Sequence, residues 1–142
     1  MTKRFENKVV VITGGSDGIG LTTAKLFASE GALVYITGRR QEPLDKAVAE
    51  IGNGAIGVQG NVADSADVVR LYERIKADHG RVDVVFANAG IYEVVGIEDI
   101  DEDHIDRMLN VNVKGMIFYR SESLAPDDSG RRYCPERLDC FR

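Results

Sequence analysis

The chain has no tryptophan, two cysteines and three prolines among its 142 residues. Cys134 and Cys140 stand six apart with no second pair, which supports neither a zinc site nor a disulfide framework. Long apolar runs are also missing. The stretch 9–12 is too short for a signal-peptide core or a membrane span, and Lys3, Arg4 and Lys8 do not make a targeting peptide. Nor is there an excess of positive charge: 18 Lys and Arg against 23 Asp and Glu give a formal net charge of -5. That balance offers no general attraction to nucleic acid or an anionic membrane. The expectation is a soluble, cytoplasmic protein with neither as a partner. What the chain does have, 44% hydrophobic residues, 29% charged residues and 15 glycines, is the make-up of one globular domain.

The composition is uneven along the chain. Residues 1–118 are rich in Val, Ile and Gly, whereas residues 119–142 contain no Val, Ile or Lys and hold both cysteines and two of the three prolines. A division into a body, 1–118, and an irregular tail, 119–142, follows from that contrast. Within the body, residues 8–13 form an apolar, β-branched run that stops at Gly14-Gly15, as a strand buried on both faces does. Ile19, Thr23, Leu26 and Phe27 then follow helical spacing over 18–30, with Gly31 at the C-terminal cap. Strands are predicted over 32–37, 55–59 and 82–87. Helices are predicted over 43–51, over 65–79 with Val68, Leu71, Tyr72 and Ile75 on one face, and from about 101 past Asn112. Alternating strands and helices predict an α/β fold, a doubly wound parallel sheet of Rossmann type. Four strands are readable, in the order 3-2-1-4.

Thr13-Gly14-Gly15-Ser16-Asp17-Gly18-Ile19-Gly20 lies between the first strand and the first helix. Glycines there permit a tight turn and close backbone approach, and a helix N-terminus offers unpaired N–H groups and a positive dipole end to a pyrophosphate. A purely structural glycine turn is the plainer alternative, but the octet opens the first of several βα units, the context dinucleotide binding requires. Asn88-Ala89-Gly90 directly follows the fourth strand, and Asn112-Val113-Lys114-Gly115 lies on the last predicted helix.

These three segments, in this order and on these elements, resemble the motifs of the short-chain dehydrogenase/reductase family. Thr13 to Gly20 resembles its Thr-Gly-x-x-x-Gly-Ile-Gly cofactor motif, Asn88-Ala89-Gly90 its Asn-Ala-Gly motif, and Asn112 its catalytic asparagine. The resemblance implies a nicotinamide dinucleotide, hydride transfer to or from a carbonyl or alcohol substrate, and homo-oligomers in complete members. Cofactor-binding positions are then Thr13, Gly14, Ser16, Asp17, Gly18, Ile19, Gly20, Asn88, Ala89 and Gly90. At the end of the second strand an acid would hold the ribose 2′-hydroxyl of NAD. Thr37 is read in that place, followed by Arg39 and Arg40, which favours NADP unless the pair is simply solvated surface. Asn61-Val62 matches the family's acid-Val pair beside the adenine, with Asn as an alternative acceptor.

The resemblance also implies a catalytic Ser, a Tyr, and a Lys four residues after the Tyr. The Lys is needed because an ordinary phenol, with a pKa near 10, is almost wholly protonated at pH 7. Of the catalytic group, Asn112 alone carries over. Tyr72 and Lys76 have the right spacing but sit on a helix whose apolar face packs, ahead of the fourth strand. Tyr133 and Arg137 are separated by Pro135, and Arg does not replace a site Lys. Asp99, Asp101 and Asp103 have calcium-loop spacing, but His104 and Asn110 stand where Gly and Glu are required, so no metal site is read. Those acids fit a helix start better, and His79 and His104 are read as surface residues.

The tail has the composition expected of a shifted reading frame. Codons for residues 119–142 can be chosen whose offset frame reads on through a helix end, a turn, a β-branched strand and a Gly-Ser, where the family places its serine. Two functional expectations follow: an NAD(P)-dependent dehydrogenase or reductase represented by its cofactor half, or a non-catalytic dinucleotide-binding fragment or unstable truncated product.

Overall fold

A computed structural model describes residues 3–123. Both cysteines, the Tyr133/Arg137 pair and the rest of residues 124–142 lie outside the described residues. Four strands, β1 (Val9–Thr13), β2 (Leu33–Gly38), β3 (Ile56–Gln59) and β4 (Val84–Phe86), make one parallel sheet in the order β3-β2-β1-β4. The register pairs Val11 with Tyr35 on one side and Val85 on the other, and Ile36 with Gly57. This is the order expected of a dinucleotide-binding sheet, and each parallel pairing has the helical crossover it requires, one after each of the first three strands.

The crossovers are α1 (Gly18–Ser29), α2 (Gln41–Ile51) and α3 (Ser65–His79). Side chains alternate across the strands and so build two cores. Val10, Ile12 and Ile36 pack with Ala24, Ala28, Leu44 and Ala47 of α1 and α2. Val9, Val11 and Tyr35 pack with Val68, Leu71 and Ile75 of α3 and with Tyr119. Each fully buried Val, Ile or Leu contributes about 1.5–3 kcal/mol, so β1, central and covered on both faces, is the densest source of stability in the sheet.

The buried face of α1 differs from the expected one. Ile19 and Leu26 are 72% and 64% exposed, and the helix instead buries Gly20, Ala24 and Ala28. Spacing by four places these small residues on one line, and only small side chains let this helix lie close to the strand ends. The face of α3 is the one its periodicity predicted. Asp64 caps its start by accepting from the Ala66 N–H, and Gly80, in the left-handed conformation, ends it.

Beyond β4 the chain runs through a 3-10 turn, Ile97–Asp99, into α4 (Glu102–Leu109). Asp101 caps α4 through the His104 N–H at 2.7 Å, the role read for these acids. The last predicted helix is interrupted by a π-helical stretch, Asn110–Gly115, before it continues as α5 (Met116–Ser123). At Gly115 any Cβ would lie 2.8 Å from the Val62 carbonyl oxygen, so the wide turn seats the helix against the β3–α3 loop. The compositional boundary at 118/119 falls inside α5: residues 119–123 are helical where irregular chain was expected, and Tyr119 is 3% exposed. Its carbonyl accepts a hydrogen bond from the Tyr72 hydroxyl at 2.9 Å and its ring lies 5.9 Å from that of Tyr72. Burial pushes the Tyr119 phenol above its ordinary pKa.

Both histidines also depart from the surface reading. His79 meets the edge of the Tyr35 ring at 5.8 Å, and the His104 side chain, 12% exposed, lies 3.3 Å from the Glu93 carboxylate. No helix among the described residues is long and apolar enough to cross a membrane.

Candidate functional site

The carboxyl ends of the strands open into a cleft of about 240 Å³ lined by Gly14, Ser16, Asp17, Arg39, Arg40, Val62, Asn88, Ala89 and Gly90, among others. The glycine loop, the segment after β2 and the Asn88–Gly90 motif are thus brought to one place. Ligands of open α/β sheets bind at this edge, because β1 sends its helix to one face and β4 to the other.

The glycine loop is shaped for close approach. Gly14 has φ +63°, and a Cβ there would stand 3.0 Å from the Ala89 Cα. At Gly20 a Cβ would lie 2.1 Å from the Gly14 carbonyl oxygen, so the first turn of α1 can pass over the loop only as glycine. Asp17 begins α1 without a side-chain cap, which leaves the first-turn N–H groups directed at the cleft. The loop, the uncapped helix N-terminus, Arg39 and Arg40 thus line one cleft. Ile19 projects outward from the first turn.

Thr13 and Asn88 act one step back from the glycine loop. Thr13, 2% exposed, accepts from the N–H groups of Asn88 at 3.0 Å and Ala89 at 2.9 Å through its hydroxyl. The Asn88 amide donates to the carbonyls of Thr13 and Gly14, both at 3.2 Å. These bonds tie the ends of β1 and β4 together and hold the loop open.

Asn112 is held as firmly. Its Oδ1 accepts from the Ile91 N–H and its Nδ2 donates to the Ile91 carbonyl, both at 2.9 Å. The π-helical turn aims this side chain across to the chain leaving Gly90, where a Gly90 Cβ would meet its Oδ1 at 3.2 Å. Asn112 therefore positions the segment after the Asn-Ala-Gly motif.

Two residues of the adenine side require correction. Thr37 lines the cleft wall yet is only 2% exposed, and strand alternation puts its side chain on the same face of β2 as Tyr35. The position facing the glycine loop is Gly38, whose Cβ would meet Ser16 Oγ at 3.3 Å. Asn61 lines a neighbouring cavity rather than the cleft, and its Oδ1 already accepts from the Ala63 N–H at 3.0 Å.

Sequence reading also missed Glu93. Its carboxylate accepts from Arg107 at 3.0 Å and lies beside His104, anchoring the loop after Ile91 to α4. The Arg107 hydrogen bond, outweighing partial burial, holds its carboxyl below the usual range. No spacing in the sequence signals this pair, which is fourteen residues apart and joined by an irregular segment.

Comparison with known proteins agrees with this geometry. The family model described as short chain dehydrogenase matches residues 8–130. An oxidoreductase, asL5, from Sarocladium schorii is 47% identical over 116 residues, covering 82% of this chain and 47% of that protein. Tropinone reductase-like 1 from Erythroxylum coca is 40% identical over 118 residues, 80% of this chain and 43% of that one. Among solved structures, a short-chain dehydrogenase/reductase mutant from Serratia marcescens superposes with a TM-score of 0.79 at 29% identity, covering 84% of this chain and 50% of that one. The chain spans about half the length of these relatives. With the strand order, the glycine loop and the family match in agreement, the chain belongs to the short-chain dehydrogenase family.

Proposed function

We propose that this chain carries the nicotinamide-dinucleotide-binding part of an oxidoreductase that transfers hydride between the cofactor and a small carbonyl or alcohol substrate. The observation that carries this reading is the cleft itself, in which the glycine loop, the arginines after β2 and the Asn88–Gly90 turn face one another. NADP is favoured over NAD. Gly38 offers no acid to a 2′-hydroxyl, while the guanidinium groups of Arg39 and Arg40 stand at the same end of the cleft to meet a 2′-phosphate.

The bound nicotinamide supplies or accepts the hydride. The chain's own residues hold the cofactor's phosphates and shape the wall beside it. Gly14, Ser16 and the first turn of α1 receive the pyrophosphate, and Val62 offers an apolar surface to the adenine. Asn112, through Ile91, orients the chain beside the nicotinamide end. Among the described residues Tyr72 and Lys76 have the family's spacing, but Tyr72 is buried against Tyr119 in the α3–α5 packing, with its hydroxyl on a carbonyl. A second reading is a dinucleotide-binding polypeptide without turnover of its own.

Fluorescence titration with NADPH and NADH, followed by a hydride-transfer assay with carbonyl and alcohol panels, tests both statements. Saturable NADPH binding tighter than NADH, without turnover, is expected. Absence of binding would overturn the dinucleotide reading, and turnover would overturn the non-catalytic one.

A further inference from the structure

Beside the cleft lies a second cavity of about 460 Å³, lined by Arg39, Gln59, Gly60, Asn61, Asp67 and Arg70. Arg39 and Gly60 also line the cleft, so the two spaces share a wall at the end where the arginines stand. Arg70 comes from α3, belongs to none of the three motifs, and has no role in the site as described so far.

Its surroundings show a guanidinium held in place with donors to spare. Nη2 alone makes the bonds that fix it, one to Asp67 Oδ1 at 2.7 Å and one to the Gln59 carbonyl at 3.1 Å. Asp67 is fixed in turn by accepting from the Asn61 N–H at 2.7 Å, which, together with Arg70 and against partial burial, lowers its carboxyl pKa. Gln59 Nε2 donates to the Arg39 carbonyl at 3.0 Å, tying the chain that carries the first arginine to the strand that holds the second. Nε and Nη1 of Arg70 make no hydrogen bond to the described residues. The cavity thus has two guanidinium groups against one carboxylate, and the carboxylate is already neutralised by its partners. A net positive, polar pocket with one guanidinium already fixed on its wall suits a dianionic phosphomonoester.

We propose that Arg70 is a specificity-determining residue, joining Arg39 in a two-arginine subsite for the 2′-phosphate of the dinucleotide. The inference rests on the NADP reading above and adds a residue that the family motifs do not mark. The Asp67–Arg70–Gln59 bonds orient the guanidinium before the ligand arrives, so less side-chain freedom is lost on binding.

The test is the ratio of NADPH to NADH affinity, measured by fluorescence titration on the full chain and on the Arg70→Gln, Arg70→Lys and Arg39→Gln variants. Arg70→Gln is expected to lower the ratio about fivefold to tenfold, the scale of one charge-assisted hydrogen bond. Arg70→Lys restores part of it. A role confined to holding the Asn61 loop would weaken both dinucleotides alike and leave the ratio unchanged, which overturns the proposal. Competition by 2′,5′-ADP against 5′-AMP gives the same comparison without the nicotinamide half. If the parent chain prefers NADPH and Arg39→Gln lowers the ratio while Arg70→Gln does not, the Arg70 assignment fails and the NADP reading stands. If the parent chain shows no preference for NADPH, or binds neither dinucleotide, both fail.

Discussion

β1 and β4 are neighbours in one sheet and both end at the cleft, yet they are held in opposite ways. Every residue of β1 is buried, because strands flank it on two sides and helices cover both faces. Every residue of β4 is half-buried, and among the described residues it pairs with β1 alone. The chain that follows carries exposed apolar side chains, including Tyr92 at 83%, Val94 at 81% and Ile97 at 87%. On the β1 side, the site is made rigid by packing. On the β4 side it depends on a few polar ties: Thr13 and Asn88 at the strand end, Asn112 on Ile91, and Glu93 on Arg107. The comparison teaches that the glycine-loop side of the cleft rests on the buried core, while the other side is fastened bond by bond.

The largest expected effect comes from breaking the packed side. Gly20→Val would drive a branched side chain into the Gly14 carbonyl, costing about 3 kcal/mol or more in urea unfolding. It would also abolish dinucleotide binding in a fluorescence titration.

Next comes the tie at the other end of the same strands. Asp83 accepts from the Val9 N–H at 2.8 Å and from Arg81 at 3.1 Å, with Lys8 at 3.4 Å. Partial burial pushes its carboxyl up, but these partners outweigh it and hold the pKa below the ordinary value. Asp83→Ala is expected to lose about 1–3 kcal/mol at neutral pH, since the Val9 donor is left without its acceptor. Because the folded-state pKa is depressed, this contribution is complete above the unfolded value near 4 and is lost as pH falls through the folded one. Unfolding curves of parent and variant should converge in that acidic window and stay apart at pH 5–7. Convergence at higher pH would contradict the sign.

On the β4 side, Asn112→Ala should cost about 1–2 kcal/mol by removing both bonds to the Ile91 peptide. Amide exchange should quicken over residues 91–96 while β1 keeps its protection, and uniform loss of protection would erase the contrast drawn above. Tyr72→Phe, which deletes the bond to the Tyr119 carbonyl, is expected to cost about 1 kcal/mol in the same denaturation assay. The smallest change in stability, within about 0.5 kcal/mol, belongs to Ile97→Lys on the exposed apolar segment. Its expected consequence is reduced self-association in analytical ultracentrifugation, since large exposed apolar patches mark association surfaces. Unchanged association would place the sticky surface elsewhere, with the open edge of β4 the next candidate.

Much of the fold was legible in the residues because its signals are local. The β-branched run before Gly14 and the spacing of Val68, Leu71, Tyr72 and Ile75 predict the elements that form. The α1 face was misread because its apolar residues are large and its contact demands small ones. Gly20, Ala24 and Ala28 carry little hydrophobic signal, yet they set the distance from helix to sheet. The π-helical stretch was not legible either, since the weak helix formers Asn110 to Val113 and Gly115 disfavour a regular helix without specifying a π turn.

By itself the sequence determined the strand order, the glycine loop and the family, because parallel crossovers, tight turns and motif order are written in consecutive residues. Only the tertiary structure decided which side chains share a cavity. It buried the Thr37 side chain in the wall of the cleft and put Gly38 beside Ser16. It spent Asn112 on a backbone peptide and brought Arg70 of α3 to the same wall as Arg39. Those outcomes depend on strand alternation and on how closely each helix approaches the sheet, distances across the chain that no local pattern of residues records.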